Sequence, residues 1–307
     1  MTTRVTVKAP ASSANMGAGF DVFALALSRP TDRLTLEKRD QTISLSVKGG
    51  RAPDSVEDNV ASAVTRAIIK GEGLRSGVRL TLGKGVPVGA GLGSSAASSA
   101  AAAVGMNSLF NLRLSPRRLV QYAGVGEKLA SGTAHYDNVT AAIAGGFVIV
   151  TKDQNFVSIE PPPSLALCLV VPEIHLPLQK TKFARSLLPD RLSLQEAVEA
   201  TGAASMMVHG MVQGSVEEIG AAMLEGFVDS RRSAMIVGYD VVRRAALSNG
   251  AAGVCISGAG PAMLAATRRS RANIVLKSMV SAFREAGVRS SGFVTRPGGG
   301  TRVIATE

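Results

Sequence analysis

An alternation of apolar and polar side chains, with a period of two residues, predicts the strands of this chain. In segment 4–9, Val5, Val7 and Ala9 fall on one side, as in a strand with one buried face. The same alternation, or a short apolar run, predicts further strands at 34–38, 42–48, 78–82, 146–151, 165–171, 253–257, 262–267 and 301–305.

A spacing of about four residues between apolar positions predicts the helices. Val60, Val64 and Ile68 recur at this spacing, and Ser55 with Asp58 forms a capping-box pattern ahead of them. Other helices are predicted near 95–106, after Ser115-Pro116, and at 193–213, 215–225, 240–249 and 272–286. Because strands and helices mix without regular βαβ alternation, the pattern favours an α+β protein.

Three consecutive prolines, at 161–163, divide the chain. Proline cannot continue a helix or a central strand, and the strand-and-helix pattern restarts beyond this point. The length of 307 residues also favours two domains over one. We therefore predict an N-terminal lobe over residues 1–155 and a C-terminal lobe over residues 156–307.

The segment VPVGAGLGSSAASSAAAAVGM, residues 86–106, carries the strongest chemical pattern. Gly89, Gly91 and Gly93 precede two serines and an alanine-rich helix. Glycines let backbone N–H groups approach an anion, and the start of a helix adds partial positive charge there. The segment has the parts of a phosphate-binding loop, although its spacing matches neither a Walker A motif nor a dinucleotide fingerprint. A glycine-rich turn before an ordinary helix is the alternative.

Two further segments combine glycine with polar residues. Residues 9–27 begin as a strand and continue as a polar loop that can present Asn15 and Asp21 to a polar ligand; an Asx-type turn is the alternative. Residues 253–266 form two apolar strands separated by SGAGP at 257–261. This third segment is either a tight glycine turn or a backbone wall packed against the phosphate loop.

Composition and charge narrow the function classes. A hydrophobic fraction of 46% excludes a disordered chain. The formal net charge is +11, yet the densest basic cluster, at 268–271, is short and the chain has no Trp, so nucleic-acid binding is not favoured. Cys168 and Cys255 lie in apolar stretches and predict core thiols in a reduced compartment, without zinc-ligand spacing. The absence of a long apolar run and of a signal-peptide core makes the cytoplasm the expected location.

The order and spacing of the three glycine segments resemble the signature motifs of the GHMP small-molecule kinases. PASSANMGAGFD, residues 10–21, is similar to the PASSANLGPGFD motif of the homoserine kinase branch, with Met16 and Ala18 as departures. Residues 127–147 resemble the same branch through their HYDN and GGF elements. The resemblance implies a two-lobed GHMP-kinase fold, with an N-terminal lobe similar to domain 2 of ribosomal protein S5 and a ferredoxin-like C-terminal lobe.

The resemblance also implies ATP and Mg²⁺ as cofactors, with ATP between the lobes. Asn59 would contact the adenine. Ser95 and Glu127 would hold Mg²⁺, with Ser94 as the alternative serine, because hard oxygen ligands suit this ion. The phosphates would be wrapped by Pro87, Val88, Gly89, Ala90, Gly91, Leu92, Gly93, Ser94, Ser95, Ala96 and Ala97, and backed by Gly258 and Gly260.

The implied substrate is L-homoserine, which carries an ammonium, a carboxylate and a hydroxyl group. Asp21 would hold the ammonium and Asn138 the hydroxyl end. Arg185 and Arg232 would clamp the carboxylate, although the adjacent Arg231 leaves the register of the second clamp open. The substrate-binding set is therefore Asn15, Asp21, Asn138, Thr181, Arg185 and Arg232, and the catalytic set is Asn138, Arg185 and Arg232.

The implied reaction is direct, in-line transfer of the ATP γ-phosphoryl group to the hydroxyl without a strong general base. Sister kinases place an aspartate beside the acceptor hydroxyl, and Asn138 stands there in this branch. The strand or loop context of Asp137 gives no reason to aim its carboxylate at the same place. His135 and Tyr136 are expected to contribute shape more than chemistry.

Two rival functions remain at this stage. The first is a kinase for another small alcohol, such as mevalonate or shikimate, which the PASSAN and HYDN elements disfavour. The second is an RNA-binding protein that uses an S5-like lobe, for which the chain lacks a cluster of basic and aromatic residues. We expect a homodimer that binds neither nucleic acid nor membrane.

Overall fold

Two β-sheets organise residues 2–176 and 180–307, the parts of the chain that the computed structural model describes. The first sheet contains β1 (Arg4–Asn15), β2 (Gly19–Arg39), β3 (Ile43–Lys48), β4 (Gly77–Gly83), β5 (Phe147–Val150), β6 (Phe156–Ile159) and β11 (Arg302–Thr306). Its order is β11-β1-β2-β4-β3, while β5 pairs with the first part of β2 and β6 pairs with β5. Only β3 and β4 run parallel.

Four helices belong to this lobe: α1 (Val60–Gly71), α2 (Ser94–Leu109), α3 (Pro116–Ser131) and α4 (Asp137–Ala144). Helices α2 and α4 pack on the strands of the sheet, and α1 and α3 pack on α2. Helix α2 lies at the centre, between strands β1 and β2 and the other three helices. Most of its residues are alanine or serine, and twelve of its sixteen residues are buried. A helix that is buried nearly all round needs small side chains where its neighbours approach, which explains the alanine-rich sequence.

The second sheet contains β7 (Leu165–Pro172), β8 (Ala251–Ile256), β9 (Met263–Arg268) and β10 (Ser290–Thr295), in the order β10-β7-β9-β8. Numbered within the lobe, this antiparallel order is 4-1-3-2, which is the ferredoxin-like arrangement. The helices of this lobe are α5 (Lys180–Ser186), α6 (Leu194–Gln213), α7 (Val216–Leu224), α8 (Phe227–Arg232), α9 (Tyr239–Ser248) and α10 (Ala272–Glu285). The predicted α+β class with two lobes is confirmed.

Strand β7 shows how the core continues through both lobes. Leu165, Leu167 and Leu169 face the cluster that also contains the first lobe's core, whereas Cys168 and Val170 face the cluster under α9 and α10. Both cysteines are buried free thiols, as the sequence predicts. In the described part of the chain, no helix combines the length and apolar character needed to cross a bilayer.

The division of the chain at residue 155 does not follow the sheets. Residues 156–159 form β6 and pair with β5, and residues 302–306 form β11 and pair with β1, so both segments join the N-terminal lobe. The proline run 161–163 ends β6 rather than preceding it, because it stops the chain only after the β5–β6 hairpin has closed. A lobe boundary near this proline run stays a proposal.

The polar segment after residue 9 is strand rather than loop. Strand β1 continues to Asn15 and β2 begins at Gly19, so only three residues turn between them. Ser12 and Ser13 look like loop residues in the sequence, but both are fully buried and hydrogen-bond to other segments of the chain. Asn15 and Asp21 have positive φ angles, which sharpens the bend on both sides of the turn.

Three smaller expectations are wrong. Helix α1 is capped by Asn59, whose Oδ1 accepts from the Ala61 N–H, and not by Ser55, which bonds Asp58 in the preceding turn. Asp137 lies in the first turn of helix α4, a helix that the sequence reading missed. Met206, Met207, Met211 and Met223 fall on the helices that the sequence predicts, where apolar side chains are expected to fill the core, but Met206 is 48% exposed while the other three are buried.

Candidate active site

The phosphate loop, residues 86–93, ends at the N-terminus of helix α2. Gly89, Gly91 and Gly93 all have φ angles in the left-handed region, between +62° and +85°. No side chain caps α2, so the first N–H groups of the helix lack partners within it. Free N–H groups and the positive end of the helix dipole make this loop a cradle for phosphate oxygens.

The glycine turn 257–261 packs directly against this cradle, as the backbone-wall reading predicts. The Ser257 hydroxyl donates to the Gly91 carbonyl at 2.7 Å, and the Ala262 N–H donates to the Ala90 carbonyl at 3.0 Å. A Cβ on Gly91 would overlap the carbonyl oxygens of Ser257 and Gly260. The two backbones therefore approach each other as closely as glycine allows.

A buried ion pair that the sequence reading missed supports the base of the phosphate loop. Lys84 and Asp32 are both buried and paired, and the Lys84 ammonium also donates to the Ser94 carbonyl at 2.7 Å. The other oxygen of Asp32 accepts the Gly85 and Val86 N–H groups at 3.0 and 2.9 Å. These contacts fix both ends of the loop. No local signal identifies the pair, because 52 residues separate its members.

The structure distinguishes the two candidate metal-binding serines. Ser94 is buried and its hydroxyl donates to the Val86 carbonyl at 3.0 Å, so it closes the loop. Ser95 is half-buried and lies beside Glu127 on α3. Glu127 is 7% exposed, and its Oε1 atom has no hydrogen-bond partner.

The state of Glu127 fits a cation site. Burial raises the pKa of its carboxyl to about 7, with Asp137 adding to the rise, while the Ser95 hydroxyl and the Lys84 ammonium oppose it. A buried carboxylate oxygen without a donor, next to a hydroxyl and to the phosphate cradle, offers the hard oxygen ligands that Mg²⁺ prefers. Glu127 does not form the ion pair with Lys128 that its sequence neighbourhood allowed, so the residues present fit the implied metal.

Asn138 reaches the phosphate cradle from the first turn of α4. Its Oδ1 accepts from the Ser12 hydroxyl at 2.7 Å, and its Nδ2 lies 3.3 Å from Asp137 Oδ1. An ionised carboxylate only accepts hydrogen bonds, so Asp137 fixes the orientation of the amide. A Cβ on Gly93 would meet both Ser12 and Asn138, which places this amide directly beside the loop. The amide oxygen is the atom next to Gly93, and with one N–H directed to Asp137 the side chain keeps one further N–H donor and carries no basic group.

Asp137 holds Asn138 rather than facing a substrate. Its Oδ1 also accepts the Asn138 backbone N–H at 2.6 Å, so the carboxylate binds one of the free N–H groups in the first turn of its own helix. Burial raises the pKa of the Asp137 carboxyl to about 6, against the effect of these hydrogen bonds. The carboxylate is thus mainly ionised at neutral pH, and its Oδ1 is occupied by hydrogen bonds from Asn138.

Asp21, Arg185 and His135 form a cluster at the other end of the site. Arg185 pairs with Asp21 through its Nη2 atom, which also lies 3.3 Å from His135 Nδ1. Burial lowers the pKa of His135, with Asp21 acting against the shift, so the ring is neutral at neutral pH. Because Arg185 can only donate, His135 Nδ1 accepts and the proton sits on Nε2. His135 thus accepts a hydrogen bond within this cluster.

Arg232 and Arg231 point in different directions. Arg232 is 3% exposed and donates to the Ala184 carbonyl at 2.8 Å and to the Gly258 carbonyl at 3.2 Å. Its guanidinium and that of Arg185 lie 5.3 and 5.2 Å from the centre of the Phe20 ring. Arg231 instead pairs with Glu196 at the protein surface, 2.8 Å away. Of the two, only Arg232 faces the site.

Two of the expected ligand-contacting residues have their polar atoms engaged within the protein. Asn15 accepts the Asp21 N–H at 3.1 Å and donates to the Gly258 carbonyl at 3.0 Å, which ties the β1–β2 turn to the glycine wall. Asn59 is 1% exposed and, besides capping α1, donates to the Pro53 carbonyl at 2.6 Å. Both residues shape the site walls through these bonds, and a direct ligand contact by either remains a proposal.

The site contains three sets of binding groups. The glycine loop and α2 offer N–H donors and positive dipole for phosphates, and Ser95 with Glu127 offers oxygen ligands for a cation. The Asp21 carboxylate and the guanidinium groups of Arg185 and Arg232 can bind an ammonium and a carboxylate on one small molecule. Asn138 lies between these two ends. The arrangement suits transfer of a phosphoryl group to a small zwitterionic alcohol.

Family models and relatives agree with this geometry. The model for the GHMP kinases N terminal domain matches residues 59–146, and the model for the GHMP kinases C terminal region matches residues 207–285. A homoserine kinase of Methanocella arvoryzae is 43% identical over 98% of this chain and 97% of its own length. A homoserine kinase of Haloquadratum walsbyi is 41% identical over 94% and 96% of the two chains.

Solved structures give the same result at the level of the fold. The crystal structure of homoserine kinase from Cytophaga hutchinsonii superimposes with a TM-score of 0.91 at 33% identity, covering 99% of this chain and 98% of the other. The L. major mevalonate kinase superimposes with a TM-score of 0.68 at 16% identity, covering 97% and 96%. The second similarity supports the shared fold alone.

Proposed function

Because the chain belongs to the homoserine kinases of the GHMP kinase family, we propose that it transfers the γ-phosphoryl group of ATP to the side-chain hydroxyl of L-homoserine. The products are ADP and O-phospho-L-homoserine, and the reaction is a step of threonine biosynthesis. ATP and Mg²⁺ are its cofactors. The homoserine kinase relatives match nearly the whole chain, whereas the mevalonate kinase resembles it only in fold.

The observation that carries the proposal is the position of Asn138 between the two ends of the cleft. Its amide lies beside Gly93 of the phosphate loop, and its helix begins two residues after His135 of the Asp21 cluster. A hydroxyl bound next to Asn138 would face the phosphate cradle while the rest of the molecule contacts Asp21 and the arginines. Positioning of this kind provides much of the rate in phosphoryl transfer.

The protein's own groups bind and orient the reactants in this scheme. Residues 87–97 hold the phosphates through backbone N–H groups, with Gly258 and Gly260 as the opposing wall. Ser95 and Glu127 hold Mg²⁺, which when bound neutralises charge on the phosphate oxygens. Asn138 donates from Nδ2 to an oxygen at the reacting end, because Ser12 occupies its Oδ1.

The amino-acid end of the substrate is bound by charges of both signs. Asp21 accepts the ammonium group, and Arg185 with Arg232 binds the carboxylate, supported by the Thr181 hydroxyl on the same helix as Arg185. Arg185 also pairs with Asp21. A bound zwitterion would replace this ion pair. Its ammonium group would contact Asp21, and its carboxylate would contact the two arginines.

No strong general base takes part in the proposed reaction. Asn138 offers a donor, and the Asp137 carboxylate is occupied by its own helix N-terminus. The hydroxyl proton is therefore lost late, to the phosphoryl oxygens or to solvent, as a loose transition state allows.

We also propose a cytoplasmic homodimer. Both cysteines are free thiols, which fits a reducing compartment. Leu194, Val198 and Val212 are 83%, 64% and 63% exposed and fall on one face of α6 by helical spacing, which supplies an apolar surface for a second copy. Light scattering of the wild-type protein and of a Leu194→Glu, Val198→Glu variant tests the dimer. A monomeric wild type would refute it.

The experiment that tests the activity measures ADP release with ATP and Mg²⁺ on a panel of L-homoserine, mevalonate and shikimate. We expect turnover on L-homoserine and a phosphorylated product whose ³¹P signal is that of a phosphate monoester. Turnover on mevalonate or shikimate alone would refute the proposal. RNA binding that resists salt, without any ADP release, would favour the binding-protein alternative.

A further inference from the structure

Lys180, the first residue of α5, links that helix to both walls of the phosphate cradle. Its ammonium donates to the carbonyl oxygen of Gly89 in the phosphate loop at 2.8 Å. It also donates to the carbonyl oxygen of Gly260 in the opposing glycine turn. The sequence reading assigned it no role, since only the fold brings α5 over the loop.

The charge of Lys180 has no counter-ion in the described part of the chain. Its contacts there are the two carbonyl dipoles, and the charge that acts on it most is another cation, Arg232. Burial, with a further contribution from Arg232, lowers its pKa to about 8, so the group remains mainly protonated at pH 7. Lys180 is half-buried, and a partly desolvated cation without an anion is unfavourable.

The ammonium also has bonding capacity left. A lysine carries three N–H donors, and the two carbonyl groups account for two of them. The third donor stays available at a position bounded by the loop that holds the phosphates and by its opposing wall.

We propose that Lys180 binds the polyphosphate of the nucleotide, and that the phosphate is the anion this charge lacks. The inference rests on the proposed function, since it presumes ATP in the cleft. Lysine serves in phosphate sites as a compact point charge. Because α5 also carries Thr181 and Arg185, a contact from Lys180 to the phosphates would bring the substrate-binding face of this helix to the loaded nucleotide.

Binding of AMP, ADP and the β,γ-imido analogue of ATP tests the proposal, measured by calorimetry with Mg²⁺ and without turnover. The variants are Lys180→Met, which removes the charge at similar length, and Lys180→Arg, which keeps it. Lys182→Met is the matched control, because Lys182 is exposed on the same helix. Circular dichroism and melting temperature check the fold of each variant.

We expect Lys180→Met to weaken the imido analogue roughly 10- to 100-fold, the effect of a charge-assisted hydrogen bond, and AMP by less than about twofold. Lys180→Arg recovers at least part of the affinity, and Lys182→Met equals wild type. The proposal is overturned if Lys180→Met leaves the analogue unchanged, weakens AMP equally, or is matched by Lys180→Arg. A Lys180→Met variant that raises only the KM for L-homoserine would also overturn the proposal. That result would mean that Lys180 only holds helix α5 in place.

The binding readout separates this inference from the proposed function. If wild type binds nucleotide but does not phosphorylate L-homoserine, the proposed substrate fails while the Lys180 comparison stands on its own. If wild type phosphorylates L-homoserine and the variants bind the analogue like wild type, only the inference fails. A wild type that binds none of the three nucleotides would overturn both.

Discussion

The end of the site that we propose for phosphate and the end that we propose for the amino acid are built in different ways. The phosphate loop is one continuous segment whose donors are backbone N–H groups, and its shape depends on three glycines with positive φ angles. The amino-acid end takes side chains from β2, α5 and α8 and from the segment before α4, and ion pairs and carbonyl contacts hold them. One site is encoded locally, and the other exists only once the lobes have met.

The difference predicts how each end fails. A site built from backbone N–H groups should keep its activity when side chains of the loop are changed. It should lose activity when a Cβ is added to a glycine that contacts the opposing backbone. An assembled side-chain cluster should lose affinity step by step as single charges are removed. Four substitutions, ordered from the largest expected effect to the smallest, test this contrast.

Gly91→Ala should have the largest effect on activity. Its added Cβ would overlap the carbonyl oxygens of Ser257 and Gly260, so the loop must move by about an ångström. Misplacement on this scale lowers kcat/KM roughly 100-fold or more. Gly89→Ala is the control, because Gly89 has a similar φ of +76° but an added Cβ there meets no atom within 4 Å. Equal losses in both variants would mean that backbone strain, and not contact with the wall, limits the loop.

Arg232→Met should raise the KM for L-homoserine about 10- to 100-fold and leave the KM for ATP nearly unchanged. It removes a charged donor from the carboxylate site but lies outside the phosphate loop. Steady-state kinetics with each substrate varied in turn provides the measurement. Arg231→Met, at the surface partner of Glu196, should stay within about twofold of wild type. A reversal of the two variants would assign the second clamp to Arg231.

Asn138→Ala should lower kcat about tenfold while nucleotide binding is retained. The loss of one donor at the reacting end misplaces the hydroxyl without removing any charge from the site. Kinetics and calorimetric binding of ADP check the two parts of this expectation. The companion variant Asp137→Asn should keep a measurable kcat. If that variant alone abolished turnover with binding unchanged, Asp137 would be the general base and the proposed mechanism would be wrong.

Asp229→Asn should alter stability far more than activity. One oxygen of Asp229 accepts both the Tyr239 hydroxyl and the Ile256 N–H, at 3.0 and 2.8 Å, and an asparagine oxygen can accept the same two bonds. Burial raises the pKa of the Asp229 carboxyl to about 7, against the effect of these hydrogen bonds. The residue lies beneath Arg232, so it probes the support of the amino-acid end without touching the phosphate end.

The sign of the pH effect follows from the raised pKa. The folded protein binds a proton at Asp229 more readily than the unfolded chain, so this group favours folding fully below its unfolded pKa near 4. As pH rises from about 4 to about 7 this contribution is lost, and the free energy of unfolding falls by a few kcal/mol at most. Urea unfolding of wild type and of Asp229→Asn between pH 4 and 8 measures it. The free energy of unfolding should fall more steeply with pH in wild type, and parallel curves would contradict the assignment.

The sequence could predict the features whose conformation is set by neighbouring residues. The glycine spacing identified the phosphate loop and the turn opposite it, and alternation identified most strands of both sheets. The sequence-based prediction was wrong where polar residues are buried, because polar residues in sequence usually indicate an exposed loop. Ser12 and Ser13 look like loop residues, yet they lie in β1, because their hydroxyls find partners on other segments.

Only the tertiary structure decided between chemically identical neighbours and joined distant partners. Ser94 closes the loop while Ser95 lies beside Glu127, and Arg232 contacts the carbonyl groups of Ala184 and Gly258 while Arg231 turns to the surface. Each choice depends on which side of a helix faces the core, a matter of long-range packing. By itself, the sequence determined the backbone cradle, since glycine conformations are local. The charges around it required the folded chain, because ion pairs join residues that only folding brings together.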